Sequence, residues 1–350
     1  MTPWLIAVLV LIGLIFLYLA LCLVFLALAN RKMFGHHVTD PANPCYLRYE
    51  DYASWLARSP YQAPYYGKWI RGYVYQDRNR KEPFKGFVIL SHGMFGTHVQ
   101  YLLDIAMLAK DGYKVLAYDH YGCGESGGEA PEYLAHGVYV LENVLRDVEE
   151  RNLAQGLPLF LYGHSWGAYS VSGALKNHPE VKKAVIRSAP VSPRIAGKDV
   201  LRHFAPHLYR FLFLGYDVAY TLLIPHRFRI SALRGERKNH ETRILMLQAK
   251  NDPMVPYAHS LARRFERKGP KNVEVFVTEK GLHNTLLQES GMANYQRLVK
   301  RYKEIQQEPS KAERDHDEAV FEKQELGNRV SLYPYDEKTR QKILSFLDGE

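Results

Sequence analysis

A chain of 350 residues and 40.4 kDa exceeds a minimal domain and suits one large α/β domain with an insertion, or two ordinary domains. Hydrophobic residues at 47% and charged residues at 24% supply a sizeable core and exclude wholesale disorder. The net charge of +9 comes with no nucleic-acid-binding motif, and attraction to anionic lipid accounts for it at least as well, so no nucleic-acid partner is expected.

Residues 4–29, from Trp4 to Ala29, contain no Asp, Glu, Lys, Arg or His. A helix of that length exceeds the roughly 30 Å hydrocarbon core, so it reads as a single transmembrane anchor with some tilt. A cleaved signal peptide is the rival, helped by Ala27-Leu28-Ala29. Against it, no basic residue precedes the apolar run, and the run outlasts the ~7–15 residues of a signal core. Arg31, Lys32 and Arg48 follow the span, which places the bulk of the chain in the cytoplasm by the positive-inside rule.

Residues 30–66 form a juxtamembrane lead-in, rich in Pro and Tyr and irregular apart from a short helix near 49–57. From 67 to 350 short apolar runs alternate with helical periodicity. Strands are expected at 69–75, 86–91, 113–118, 158–162, 183–188, 243–249 and 273–277, and helices at 99–110, 134–150, 166–177 and 257–268. This alternation predicts an α/β fold with a mostly parallel sheet covered on both faces. Residues 192–241 break the rhythm. They hold seven Phe/Tyr and nine Lys/Arg against four acids, which suits a helical lid over an apolar pocket; a helical excursion that merely packs on the core is the alternative. Residues 307–332 read as a mobile polar insertion, and 336–348 as a closing helix.

Three cysteines (Cys22, Cys45 and Cys123) lack the spacing of a disulfide framework or zinc cluster, and none of the fifteen histidines forms H-E-x-x-H. No metal is therefore expected. His36-His37 reads as an interfacial or solvated pair, and Met246 and Met254 as packing residues.

The sharpest motif is Gly163-His164-Ser165-Trp166-Gly167, after an apolar strand and before an apolar helix. G-x-S-x-G needs its glycines because the strand-to-helix turn is crowded around the nucleophile. The turn lifts the Ser165 hydroxyl clear of the sheet and aims the Trp166 N–H at a developing oxyanion. A serine hydroxyl needs a base and an orienting carboxylate to react near neutral pH. Asp252 and His283 fall in the slots just past later strands, 87 and then 31 residues further on. Strand 86–91 runs into Ser91-His92-Gly93-Met94, where the Met94 N–H would be the second oxyanion donor.

These pieces, with Asp119-His120-Tyr121-Gly122-Cys123-Gly124-Glu125-Ser126 and Asp252-Pro253-Met254-Val255-Pro256, resemble the monoacylglycerol-lipase and serine-aminopeptidase-like group of α/β-hydrolases. Five motifs in order across residues 68–290 carry the resemblance. It implies an α/β-hydrolase fold and ester hydrolysis through an acyl-enzyme, with Ser165 as nucleophile, His283 as base, Asp252 as its partner and no cofactor. It also makes 119–126 a structural loop, with His120 and Cys123 as packing residues. Gly122-x-Gly124-x-x-Gly127 matches a dinucleotide fingerprint by letters only, because no helix follows directly. Met94 is bulkier than the small residue often found at its position, which implies a reshaped acyl pocket. The expected substrate is a lipid or monoacyl ester; a peptidase, an acyltransferase or a binding protein on the same fold are the alternatives.

Overall fold

The computed structural model describes residues 2–39, 43–233 and 238–349, less the side chains of Phe204 and Lys268. Within the expected lead-in and lid, residues 40–42 and 234–237 lie outside the described residues, as do the two terminal ones.

The described residues build an eight-stranded sheet: β1 (Leu56–Tyr65), β2 (Lys68–Asp77), β3 (Gly86–Ser91), β4 (Tyr113–Tyr118), β5 (Leu159–His164), β6 (Lys183–Arg187), β7 (Arg243–Ala249) and β8 (Val273–Thr278). Its order is β1-β2-β4-β3-β5-β6-β7-β8. The β1–β2 and β2–β4 pairs are antiparallel and every other pair is parallel. The continuous apolar run of β3 follows from burial on both faces: Phe87 and Ile89 enter one core, Val88 and Leu90 the other. On the first face lie α3 (His136–Glu150), α4 (Trp166–Ala174) and α7 (Leu261–Lys268). On the second lie α2 (Leu102–Asp111) and α10 (Glu337–Asp348). Between β6 and β7 the chain leaves the sheet as a helical hairpin, α5 (Pro193–Phe204) and α6 (Pro206–Leu223).

Two stretches differ from expectation. Residues 56–65, read as irregular, are the edge strand β1. Pro60 and Pro64 mask its strand character, yet Tyr61, Ala63 and Tyr65 are buried while Gln62 and Pro64 are exposed, an alternation of period two. A two-residue turn joins β1 to β2, with φ of 44° at Tyr66 and 72° at Gly67, the pairing that matches strand twist in tight hairpins. Residues 307–332, expected as a mobile insertion, contain α9 (Lys311–Glu325). Ser310 caps it by accepting from the Glu313 N–H, and Phe321 closes a small core with Leu298 and Ile305 of α8 (Glu289–Gln306) and with Cys45. One apolar contact on an otherwise charged helix is too little to show as periodicity.

Among the described residues one helix is long and apolar enough to cross a membrane, α1 (Pro3–Phe34). Its first half stands almost free of the domain, whereas from Tyr18 onward one side contacts the protein. Its end is tied down by main chain: Val38 N–H donates to Gly122 O (2.9 Å) and Gly124 N–H to Val38 O (2.7 Å). His37, expected as interfacial or solvated, sits half-buried with its two ring nitrogens 2.9 and 3.0 Å from the carbonyls of Gly128 and Gly124. The looped 119–128 segment turns those carbonyls toward it, which sequence spacing does not reveal.

Candidate active site

The site assembles at the carboxyl ends of the parallel strands, where the sheet leaves side chains uncovered. Ser165 follows β5 with φ 55° and ψ −113°, a strained conformation for a non-glycine residue. Its backbone is fixed on both sides, because its N–H donates to Arg187 O (2.8 Å) and its carbonyl accepts from the Tyr169 N–H (2.9 Å). Both flanking glycines are required by crowding. A Cβ at Gly163 would meet the Gly167 carbonyl, and one at Gly167 would run into the carbonyl of Ser91.

Three side chains expected to act together do meet. His283 Nε2 lies 2.8 Å from Ser165 Oγ, and His283 Nδ1 lies 2.9 and 3.0 Å from the two oxygens of Asp252. A carboxylate only accepts, so Nδ1 carries the proton and Nε2 is left to accept from the serine hydroxyl. Asp252 is buried, and its remaining lone pairs are filled by the N–H groups of Met254 and Val255 (2.9 Å each) and the Gln248 amide (3.0 Å). Those donors hold the carboxylate in place against the imidazole. Asn251 Oδ1 accepts from Leu282 N–H (3.0 Å), clipping the His283 loop to the Asp252 loop.

A second layer, which sequence reading missed, holds the His283 backbone. His164, the variable residue inside G-x-S-x-G, donates from Nε2 to His283 O (2.8 Å). Its Nδ1 therefore accepts, and the donor is Tyr101 Oη (2.7 Å), which itself accepts from the Gly93 N–H (2.8 Å). One chain of hydrogen bonds thus joins the turn after β3 to the His283 loop. Complete burial, with His283 and Arg187 alongside, drives the His164 pKa well below the usual histidine range and keeps the ring neutral. Ser188 Oγ also donates to His283 O (3.1 Å). Arg187, wholly buried, donates to Asn284 Oδ1 (2.5 Å), to Tyr162 Oη (2.7 Å) and to Asp104. A hydrophobic strand gives no sign that its one arginine is internal, so only topology could have found it.

The expected structural loop behaves as such. Asp119, His120 and Cys123 are fully buried, and Asp119 accepts from His98 N–H, from His98 Nδ1–H and from Glu125 N–H. Met94 and Trp166, the expected oxyanion donors, line a cavity together with Ser165 and His283. Trp166 opens α4, where an N–H has no preceding turn to accept it. The cavity has a volume of about 590 Å³ and is walled by the α5–α6 hairpin and, unexpectedly, by Phe25, Leu26, Ala29, Met33 and Phe34 of α1. Met254, expected to pack, borders it too.

Residues 82–215 match the family described as serine aminopeptidase, S33. A proline iminopeptidase of Thermoplasma volcanium is 31% identical over 135 residues, 37% of this chain and 43% of that protein. A monoglyceride lipase homolog of monkeypox virus is 33% identical over 108 residues, 31% of this chain and 39% of its own length. A Pyrococcus furiosus esterase structure superposes with TM-score 0.55 at 19% identity, covering 76% of this chain and 97% of that one, a likeness of fold. Over residues 82–215 this chain resembles the S33-type group of α/β-hydrolases, and its fold is that of an α/β-hydrolase. It spans about two-fifths of the length of the two curated relatives. The matched family and relatives are named as peptidases and a lipase homolog, and in this chain the α/β-hydrolase fold is preceded by an apolar helix.

Proposed function

We propose that the protein is a membrane-anchored serine esterase that cleaves lipid or monoacyl esters. The observation that carries the reading is the unbroken path from Ser165 Oγ to His283 Nε2 (2.8 Å) and from His283 Nδ1 to Asp252 (2.9 Å). Ser165 Oγ attacks the ester carbonyl carbon as His283 takes its proton. The tetrahedral oxyanion is held by the N–H groups of Met94 and Trp166, and Asp252 stabilises the imidazolium. The carbon–oxygen bond to the alcohol breaks as His283 protonates the leaving oxygen. Water, deprotonated by the same imidazole, then releases the acid. The single-pass helix α1 anchors the chain, with Arg31 and Lys32 on the side of the hydrolase domain.

The lining of the cavity favours esters over peptides. No Asp or Glu lines it among the described residues, so it offers no anion to receive a free α-ammonium group, whereas aromatic and aliphatic side chains line most of its wall. The aminopeptidase description of the matched family keeps peptide hydrolysis as the second reading. The two separate in one assay. Purified full-length protein is compared on medium- and long-chain acyl esters and on N-terminally free and blocked peptides, beside Ser165→Ala. Fatty-acid release that is lost in Ser165→Ala supports the esterase. Preferential amine release, or short soluble esters turned over far better than long ones, refutes the lipid reading.

A further inference from the structure

Sequence gives α1 one job, anchoring, but the structure gives half of it a second. Tyr18 Oη donates to Phe211 O (2.8 Å) and accepts from the Gly215 N–H (2.9 Å), and its ring meets Phe211 edge-on at 5.3 Å. Cys22 leaves no room for a Cβ at Gly215, so α1 and α6 are closely apposed there. One turn later Phe25, Leu26, Ala29 and Met33 face the cavity that holds Ser165 and His283. Their spacing of one, four and eight residues is that of a single helix face. Beyond them the main-chain bonds of Val38 and the ring of His37 fix the end of the helix. Clamped at both ends, this face cannot drift from the nucleophile.

We infer that the anchor helix is a wall of the acyl-binding pocket, so that a lipid's acyl chain lies along Phe25–Met33 while its ester reaches Ser165. The inference rests on the lipid-ester reading. An acyl chain then moves from lipid into the pocket sideways, without crossing water. The outer surface agrees: Leu21, Val24 and Leu28 of α1 and Phe211, Leu214, Val218 and Leu222 of α6 are all exposed, as a lipid-facing band requires.

The test is a C16 alkyl fluorophosphonate with a diazirine in mid-chain, applied to the full-length protein in phosphatidylcholine vesicles. Ser165 Oγ bonds to phosphorus as fluoride leaves, light then inserts the chain into its neighbours, and peptides are mapped by mass spectrometry. Cross-links within residues 25–34 are expected. Modified Ser165 with cross-links confined to other elements overturns the inference alone. Unmodified Ser165 in folded protein removes the catalytic reading and the inference with it. In a second measurement, Ala29→Phe lowers the C16-to-C4 ratio of kcat/KM by about tenfold or more, the scale on which an apolar pocket senses added bulk. Outward-facing Leu28→Trp leaves that ratio unchanged. Equal ratios in Ala29→Phe and wild type refute the wall.

Discussion

Replacing Asp252 by Asn changes one oxygen to NH2 and removes one charge, and the surroundings determine the cost. One carboxylate oxygen accepts from the N–H groups of Met254 and Val255, so the amide oxygen must stay there. The amide NH2 then replaces the other oxygen, where the Gln248 amide at 3.0 Å and His283 Nδ1 at 2.9 Å both donate to it now. His283 relieves that clash by moving its proton to Nε2, which leaves nothing to accept from Ser165. The charge adds to the loss: an ion pair about 4 Å apart is worth about 4 kcal/mol at an effective dielectric of 20, or roughly 10³ in rate. Together these give an expected fall in kcat of roughly 10³–10⁴, on the scale of the same change in other serine triads. Hydrolysis of a p-nitrophenyl ester measures it, with a thermal melt to confirm folding. A folded Asp252→Asn enzyme within tenfold of wild type would refute the role given to this carboxylate.

Other expectations follow from the same contacts. Tyr101→Phe strips the donor from His164 Nδ1 and the acceptor from Gly93 N–H. At about 1–3 kcal/mol for each orphaned buried group it lowers stability measurably in urea unfolding, and an unchanged midpoint contradicts it. Gly167→Ala drives a methyl into the Ser91 carbonyl, so soluble protein with wild-type fluorophosphonate labelling would count against the tight elbow. His92, His120 and His164 have pKa values lowered chiefly by burial, so the unfolded chain takes up protons below pH ~6.5 that the folded one refuses. Their stabilising contribution is complete above that pH and shrinks as pH falls, by up to about 1.4 kcal/mol per pH unit for each histidine. Unfolding midpoints at pH 7.5, 6.5 and 5.5 should therefore decline together, and a flat series refutes the assignment.

The sequence disclosed whatever is local or periodic. β3 to β8 carry apolar runs that only a doubly covered sheet explains, and Gly163, Ser165 and Gly167 mark a turn whose geometry dictates its residues. Asp252 and His283 were legible because both lie just beyond a recognisable strand. β1 was hidden by Pro60 and Pro64, although the alternation of Tyr61, Ala63 and Tyr65 was present. The helix α9 announced itself by Ser310 and Glu313, a capping pair inside a segment whose charge argued for disorder. Tyr101, His164, Arg187 and Asn284 were beyond reach because, apart from the Gly93 N–H on Tyr101, the partners described for their side chains lie 25 to 119 residues away in sequence. The same holds for Phe25 and Ala29: nothing in an apolar span says which side stays exposed and which lines the cavity.

The prolines of β1 bear on how copies of the chain behave when crowded. Proline is tolerated in a strand where its absent N–H points away from the neighbour, so Pro60 and Pro64 remove donors from the free rim of the sheet while the register with β2 stays unbroken. A rim without those donors is a poor template for another copy to zip against. For copies gathered on a membrane by α1, as proposed above, encounters are frequent and that gap keeps each sheet closed to its neighbours.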